Sequence, residues 1–500
     1  MPLVKVYKHE SSVYGDCCTQ GPILTFNLRT GSGDWIGKSD VEKTAAVKNI
    51  QLRTGTLCNP GAMSRALGLS PDEMRSNFET GQRCGDDNDI LSGKPTGAIR
   101  VSLGAMSTVE DVDIFIRFLE EFYLEKDDVG TLSDSSTSLF TTTARTSESS
   151  LSSLIPRFSI KKLCVYPIKS CGAFTVPADT PWPVTAEGLA WDRTWCLIHQ
   201  GTGAALNQKR YPKMALIKPL LDEARNIMHV RLCGPAIDET EACPVVQTLD
   251  IALIDDDSTK GSIALSTCEV PSKTASRVCG ENINLLVYSA PEVDSFFSDF
   301  LGVPCTLAKF PGQHSYMRRA RTEDLPGRNM QSSGECLPGR KEDSYQLRLS
   351  NESPMLLVSQ SSVNRVNALI RRDTGNSSPI SADVFRANIV VEEKTETAKQ
   401  HPYIEDSWSE VFINRTHPSR SKGRAETVAL DVLGSCRRCQ MVCIDQSTAI
   451  RSQEPFATLA KTRKVDGRVL FGRHVGLSAH SCRDVGREIM ISVGDEISTR

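Results

Sequence analysis

Four stretches of the 500-residue chain carry side chains that could do chemistry. In Arg53-Thr54-Gly55-Thr56-Leu57-Cys58-Asn59-Pro60-Gly61, two glycines and an Asn-Pro pair set Cys58 on a loop between a strand and a helix start. A thiol that accepts sulfur from one group and passes it to another needs such exposed backbone. It must also reach the thiolate form, which a helix N-terminus and Arg53 or Arg65 would favour. The bland alternative is an ordinary cysteine packed beside a turn. Arg100 lies inside an apolar strand and needs an anion, either a bound carboxylate gripped by its fork or an acidic side chain of Asp86-Asp87-Asn88-Asp89.

The third stretch, Val165-Tyr166-Pro167-Ile168-Lys169-Ser170-Cys171-Gly172, ends a strand in a cation, a hydroxyl and backbone N–H groups. These can converge on a phosphate, although the spaced glycines of a Walker loop are absent. Arg193, flanked by Trp191 and Trp195, and Arg386 with Asn388 offer further cations at strand ends. Together the three places suit a polyanionic, hydrogen-bonding ligand; separately they are surface cations. The fourth stretch, Cys436-Arg437-Arg438-Cys439, has the spacing of half a zinc site but no second pair. A dithiol pair, or one soft thiolate on molybdenum or copper, also fits.

Elements that must position these residues alternate along the chain. The patterns predict strands at 22–28, 49–53 and 97–103 and a helix around 41–46. Thr108 and Asp111 start an amphipathic helix to Tyr123, with Val109, Val112, Phe115, Ile116 and Leu119 on one side. The first segment is therefore an α/β piece. Residues 126–153, rich in Ser, Thr and Asp, read as a flexible linker. Beyond them short β-rich runs at 158–167, 193–199, 214–217, 228–232, 248–253 and 282–287, cut by turns, predict a barrel or curled sheet. Helices are expected at 289–301 and 362–372, a long polar loop at 312–345, and a closing strand at 488–495.

Bulk properties narrow the function. Length predicts about three domains of roughly 150 residues. Lys plus Arg number 58 against 61 Asp plus Glu, so no general field draws the chain to nucleic acid or an anionic membrane. The sequence has no apolar run long enough to span a bilayer and no signal-peptide pattern, which leads to the expectation of a cytoplasmic protein. Its 17 cysteines are scattered and odd in number, as expected of mostly buried thiols in a reducing compartment.

Taken in order, these stretches resemble the eukaryotic molybdenum cofactor sulfurases. Residues 53–62 and 85–108 are similar to the end of that family's NifS-like domain. Tyr166–Gly172, Asp192-Arg193 and Gln208–Pro212 resemble its MOSC N-terminal barrel, and Phe385–Asn388, Cys436–Cys439 and Leu470–Gly472 its MOSC domain. The resemblance implies an α/β remnant of a pyridoxal-phosphate-dependent transferase fold followed by mainly-β MOSC barrels. The implied layout is the C-terminal portion of a class V aminotransferase or cysteine desulfurase-like domain at 1–124 and a disordered linker at 125–155. The MOSC N-terminal β-barrel follows at 156–305, a long polar loop at 306–345 and the MOSC domain at 346–500.

The resemblance also implies a sulfurtransferase. Such enzymes take sulfur from L-cysteine with pyridoxal phosphate, hold it as a protein persulfide and pass it to molybdenum cofactor, activating xanthine dehydrogenase and aldehyde oxidase. By position Cys58 matches the persulfide cysteine and Arg100 the arginine that holds the substrate carboxylate. Lys169, Ser170, Arg193, Arg386 and Asn388 would hold the pterin phosphate and ring, and Cys439 would lie at the metal. The family's Schiff-base lysine stands upstream of the Arg-Thr-Gly motif, and the residues before Arg53 show no such Ser/His/Lys context. The chain alone is therefore expected to release no sulfide from cysteine. A MOSC oxidoreductase of the amidoxime-reducing kind and a non-catalytic cofactor carrier are the other readings of the same barrel.

Overall fold

The computed structural model describes residues 4–13, 15–82, 86, 88–124, 157–235, 244–254, 265–266, 276–278, 281–283, 285–311, 318–319, 345–375, 378–394, 400–415, 427–465, 468–479, 481 and 488–500. The expected linker at 125–155 and nearly all of the expected polar loop before Tyr345 lie outside these residues. The chain divides into two compact units, residues 1–152 with 456–469, and residues 153–455 with 470–500.

In the first unit β1 (Val4–Tyr7), β2 (Ile23–Leu28), β3 (Arg53–Gly55) and β4 (Ala98–Ser102) form an antiparallel sheet in the order β1-β2-β4-β3. Gly97 permits the close approach of β4 to β3, because a Cβ there would lie 2.6 Å from the Gly55 carbonyl carbon. Helices α1 (Lys38–Val47), α2 (Pro60–Leu67), α3 (Pro71–Glu79) and α4 (Val109–Tyr123) accompany the sheet, whose core joins Phe26, Leu28, Val41, Ala45, Ile99 and Phe118. The strand expected at 49–53 begins only at Arg53. Asn49 adopts a left-handed φ of 60° and Ile50 N–H returns to the Ala45 carbonyl at 2.9 Å, so these residues close α1 instead.

Helix α4 starts where expected, on a reciprocal Thr108–Asp111 capping box. Its inward stripe, however, is Phe115, Phe118, Leu119 and Phe122, while Val109 and Ile116 are exposed. The larger aromatic stripe at helical spacing wins the core. The segment 456–469 completes this unit: Lys461 pairs with Glu121 at 2.7 Å and Lys464 with the buried Asp40 at 2.5 Å.

The second unit is dominated by a closed barrel. Its staves are β5 (Arg157–Val165), β12 (Met355–Ser359), β13 (Ile389–Lys394), β14 (Glu410–Asn414), β15 (Thr427–Arg437), β16 (Arg468–Leu477) and β17 (Glu496–Thr499). The order β12-β13-β5-β17-β14-β15-β16 returns to β12 through the β12–β16 pairing, so seven strands close on themselves. Apolar residues two apart, such as Ile389 and Val391, Val411 and Ile413, Val428 and Leu430, and Val475 and Leu477, are buried in its core. β12 and β13 are parallel and so need a crossover, supplied by α6 (Gln360–Thr374), the helix expected at 362–372.

Between β5 and β12 in sequence the larger of several smaller sheets are β7 (Ile217–Asp222) with β8 (Ile227–Cys233) and β9 (Val245–Ala252), and β6 (Trp195–His199) with β10 (Leu286–Tyr288), β11 (Cys305–Lys309) and the short strand Leu265–Ser266. Helix α5 (Pro291–Leu301) packs with them around Trp195, Leu197, Ile217, Met228 and Phe297. The mainly-β expectation for this half therefore holds. Two local expectations do not. Residues 212–216 form a 3₁₀ turn, started by Pro212, and the strand begins at Ile217. The closing strand is broken at Gly494, φ 92°, into Ile489–Ile491 and β17.

Candidate functional site

Strand β5 runs antiparallel to β13, with Leu163 opposite Ile389, so the residues after Val165 lie beside those before Ile389. This brings Tyr166 and the Cys171 carbonyl to Arg386 and the Cys164 carbonyl to Asn388, although they are far apart in sequence. Trp195 is tied to the same place by its bridge to Ile168, which delivers Arg193. The guanidiniums of Arg193 and Arg386 sit over the Tyr166 ring at 4.5 and 4.4 Å from its centroid. Tyr166 is buried, and burial holds its phenol well above the usual value, so the platform stays neutral.

The two arginines differ in their partners. Arg193 pairs with Asp192, whose other oxygen accepts the Tyr166 N–H at 2.8 Å, and donates to Asn388 Oδ1 at 3.0 Å. Arg386 donates through Nη1 to the Cys171 carbonyl at 2.6 Å and to Gln446 Oε1 at 3.4 Å. Its Nη2 is buried without a partner, and no carboxylate lies within ion-pair distance of it among the described residues. Burial pulls this guanidinium below its ordinary value, with Arg193 adding like-charge repulsion, yet an arginine keeps its proton in proteins. A buried cation with a free donor is incomplete without an anion.

Backbone strain collects at the same place. Ser170, Trp191, Arg193 and Arg386 all take left-handed φ values, between 48° and 65°. Non-glycine residues seldom do so outside turns, and each costs of order 1 kcal/mol or more. The cradle is preformed at that cost.

The remaining sequence-derived residues take distinct parts. Lys169 reaches the Leu349 carbonyl at 2.7 Å and the Asn351 side chain. Ser170 is nearly buried. Asn388 is fully engaged by the fold: Nδ2 donates to the Cys164 carbonyl at 3.1 Å, and Oδ1 accepts Leu356 N–H at 3.2 Å as well as Arg193. It clamps three strands and aims Arg193. Cys439 is half-buried and begins the 3₁₀ turn Gln440–Cys443, which packs against the turn Ala382–Phe385 just before Arg386. Among the described residues Cys439 belongs to no group of three metal-ligating side chains, whereas Cys436, three residues before it, lies in one with Glu352 and His474.

The first unit carries the other two candidates. Cys58 is exposed, at a left-handed φ of 58°, between β3 and α2, and Arg53 Nη2 lies 3.1 Å from its sulfur. Asn59 caps α2 by accepting the Ala62 N–H at 3.2 Å. Arg53 stands directly opposite Arg100 in the β3–β4 register, which puts both side chains on one face. Arg100 Nε is buried without a partner. Of the acidic stretch offered as the alternative partner, Asp89 is taken by Lys38 at 2.8 Å and by Ser39, and Asp87 lies outside the described residues.

Sequence reasoning quoted Tyr166 and Asp192 without giving them a part, took Cys436 only as half of the Cys-x-x-Cys pair, and missed Gln446 and the Glu352 and His474 whose ligand atoms lie within 4.8 Å of the Cys436 sulfur. Stacking platforms and bridging amides have no spacing rule. The Asp192-Arg193 dipeptide was the one legible signal, since an acid beside a strand-end arginine holds its fork in place.

Comparison with known proteins gives a consistent picture. Residues 157–304 match the MOSC N-terminal beta barrel domain and residues 344–498 match the MOSC domain. A molybdenum cofactor sulfurase of Neosartorya fischeri is 47% identical over 95% of this chain and 54% of its own length. The sulfurase of Emericella nidulans is 47% identical over 94% of the chain and 55% of its length, and that of Aspergillus niger 45% over 99% and 58%. The chain thus spans little more than half the length of the curated relatives it matches. Among the described residues no helix is long and apolar enough to cross a membrane.

Proposed function

The chain belongs to the molybdenum cofactor sulfurase family, and from that premise we propose that it binds molybdenum cofactor in its second unit as the substrate of sulfur transfer. The observation that carries the reading is the pair of guanidiniums over Tyr166, one with a buried donor left free. That arrangement suits the anionic tail of a pterin. Lys169 and Ser170 add a cation and a hydroxyl at the same strand end, Asn388 keeps Arg193 in place, and Cys439 offers one soft thiolate for the metal.

In this reading residues 1–124 are the C-terminal portion of a cysteine desulfurase-like domain, and Cys58 carries the sulfur as a persulfide. Its exposure and left-handed loop favour hand-over, and Arg53 stands ready to stabilise the thiolate that remains when sulfur leaves. Arg100, with its unpartnered buried Nε, would grip the carboxylate of L-cysteine. Pyridoxal phosphate, where bound, supplies the electron sink for breaking the C–S bond of cysteine. The sulfurated cofactor would activate xanthine dehydrogenase and aldehyde oxidase in the cytoplasm.

The test is retention of the pterin by the full chain. After incubation with molybdenum cofactor and gel filtration, protein-bound pterin is oxidised and read by fluorescence. Wild type should retain it, and Lys169→Glu and Arg386→Glu should not. Equal retention in all three would overturn the assignment.

A further inference from the structure

We propose that Cys436 is a second sulfur-accepting thiol, held at the barrel as the partner of His474 and Glu352, which takes sulfane sulfur from a persulfide donor and keeps it as its own persulfide. The inference rests on the sulfur-transfer reading above and adds a site to it.

The geometry comes from a β-bulge. The β15–β16 register pairs Ser435 with Arg473 and Arg437 with Leu470, and it slips between them, leaving Cys436 at the irregularity. Such slips re-aim side chains. His474 follows on β16, and β12 pairs with it through Leu356, which brings up Glu352 from just before β12. The carboxylate, ring nitrogen and sulfur then lie within 4.8 Å of one another. The Glu352 side chain is 44% exposed, so the otherwise buried cluster opens to the surface.

Hydrogen bonding fixes the charge of the ring. Ser353 has one hydroxyl proton, and it donates it to the Met355 carbonyl at 2.8 Å. Ser353 Oγ is also 2.6 Å from His474 Nδ1, where it can only accept, so Nδ1 carries a proton. Nε2 faces Glu352 Oε2 at 3.0 Å, and an ionised carboxylate can only accept, so Nε2 is protonated too. The ring is an imidazolium beside a thiol. Burial alone would lower its pKa, but Cys436 and Glu352 push it up to about 9. Burial alone would raise the Cys436 thiol, but the positive charges of Arg438 and His474 beside it bring it below its ordinary value despite Glu352. Burial pushes Cys196 up to about 12 and Cys164 and Cys305 to about 11, as expected of inert buried thiols. Cys436 shifts the opposite way.

A thiolate of this kind attacks the outer sulfur of a donor persulfide R–S–SH. The donor S–S bond breaks, its electron pair leaves as R–S⁻, and a new S–S bond makes Cys436–S–SH, with the proton staying on the transferred sulfur. Atoms and charge balance and no oxidant is needed. Arg438, anchored by the Phe471 and Phe385 carbonyls at 2.8 and 3.0 Å, keeps a buried Nη2 without a partner for the anionic form of the product.

The experiment incubates the reduced full chain with glutathione persulfide at neutral pH, alkylates it and reads each cysteine peptide by mass spectrometry. One added sulfur is expected on Cys436, appearing at least about tenfold faster than on Cys196, with His474→Gln slowing it about tenfold and Glu352→Gln about threefold. Glu352→Gln alters a half-exposed side chain and so guards against a variant that fails to fold. No sulfur on Cys436, or equal rates in both variants, would overturn the proposal. So would stoichiometric zinc in the purified chain that is lost in Cys436→Ser, because the thiolate would then be a metal ligand. Pterin retention by Arg386 is read separately, so failure of the cofactor assignment and failure of this site are distinguishable.

Discussion

The two candidate sites solve opposite problems with similar parts. Each has arginines and left-handed non-glycine residues, but Cys58 and its loop are exposed, while Arg386, Asn388 and Tyr166 are buried. Among the described residues one side-chain hydrogen bond, from Arg53, reaches the Cys58 sulfur. Around Tyr166 two stacked cations, a carboxylate and a saturated amide fix one another. A carrier thiol must reach partners of different shape, and loose exposed backbone serves that. A grip on an anion gains from burial, because a preset donor in a dry site needs no reorganisation. The contrast predicts that substitutions in the cradle have large, specific effects and those around Cys58 small, graded ones.

The largest expected effect is charge reversal at the cradle. Arg386→Glu should weaken pterin binding by at least about a thousandfold, since a buried cation is replaced by an anion facing an anion. Arg53→Glu, measured in the same fluorescence assay, should leave retention within about twofold, as expected for an exposed charge. Similar losses in both variants would end the distinction between a gripping and a carrying site.

The next effect compares two carboxylates. In the barrel, burial raises Glu405 to about 7, although Ser362 donates to it at 2.8 Å. In the first unit, Glu73 on the surface is lowered to about 2 by Lys94 and the Ser70 backbone. The signs are opposite. A raised acid contributes stability below its unfolded value of about 4.5 that is lost as pH rises through 7; a lowered acid contributes above about 4.5 and loses it as pH falls toward 2. Glu405→Gln should therefore gain on wild type in urea melts between pH 4.5 and 7, approaching about 3 kcal/mol. Glu73→Gln should show no change across that window. A flat Glu405→Gln difference would mean that water reaches the carboxylate.

Asn388→Ala is expected to cost less, about 2 kcal/mol of stability, because it strands the Cys164 carbonyl and Leu356 N–H in the barrel wall. Pterin affinity should fall too, through Arg193. Unchanged stability with lost affinity would instead make Asn388 a direct ligand of the pterin.

Legibility in the sequence followed the same division. The Cys58 loop, the Thr108 cap and the strands of the barrel are local patterns, and turn residues, caps and apolar alternation read them well. Closure of the barrel was not local. It depends on β5 standing between β13 and β17, over two hundred residues away in the chain. The cations of the cradle were legible as strand-end residues, but their convergence on Tyr166 follows from that long-range pairing. Of the face assigned to α4, Phe115 and Leu119 do pack inward; Val109 and Ile116 were misplaced because they fit the helical period as well as Phe118 does, and only burial distinguishes them. His474 was invisible because its partners come from two distant stretches, Glu352 and Ser353 just before β12 and Cys436 near the end of β15.

The smallest effect tests the carrier side directly. Arg53 Nη2 sits 3.1 Å from the Cys58 sulfur, while Arg65 belongs to the last turn of α2. If the Arg53 contact stabilises the developing thiolate, Arg53→Gln should slow alkylation of Cys58 by iodoacetamide about threefold at neutral pH, an exposed-charge effect of well under 1 kcal/mol. Arg65→Gln should not change the rate. The Arg53 effect should shrink as salt rises to 1 M, where screening reaches about 3 Å. A much larger, salt-insensitive loss would mean that Arg53 orders the Leu57-Cys58 turn rather than its charge. Cys58 would then be preset in the way the cradle is, and exposure alone would no longer separate the two sites.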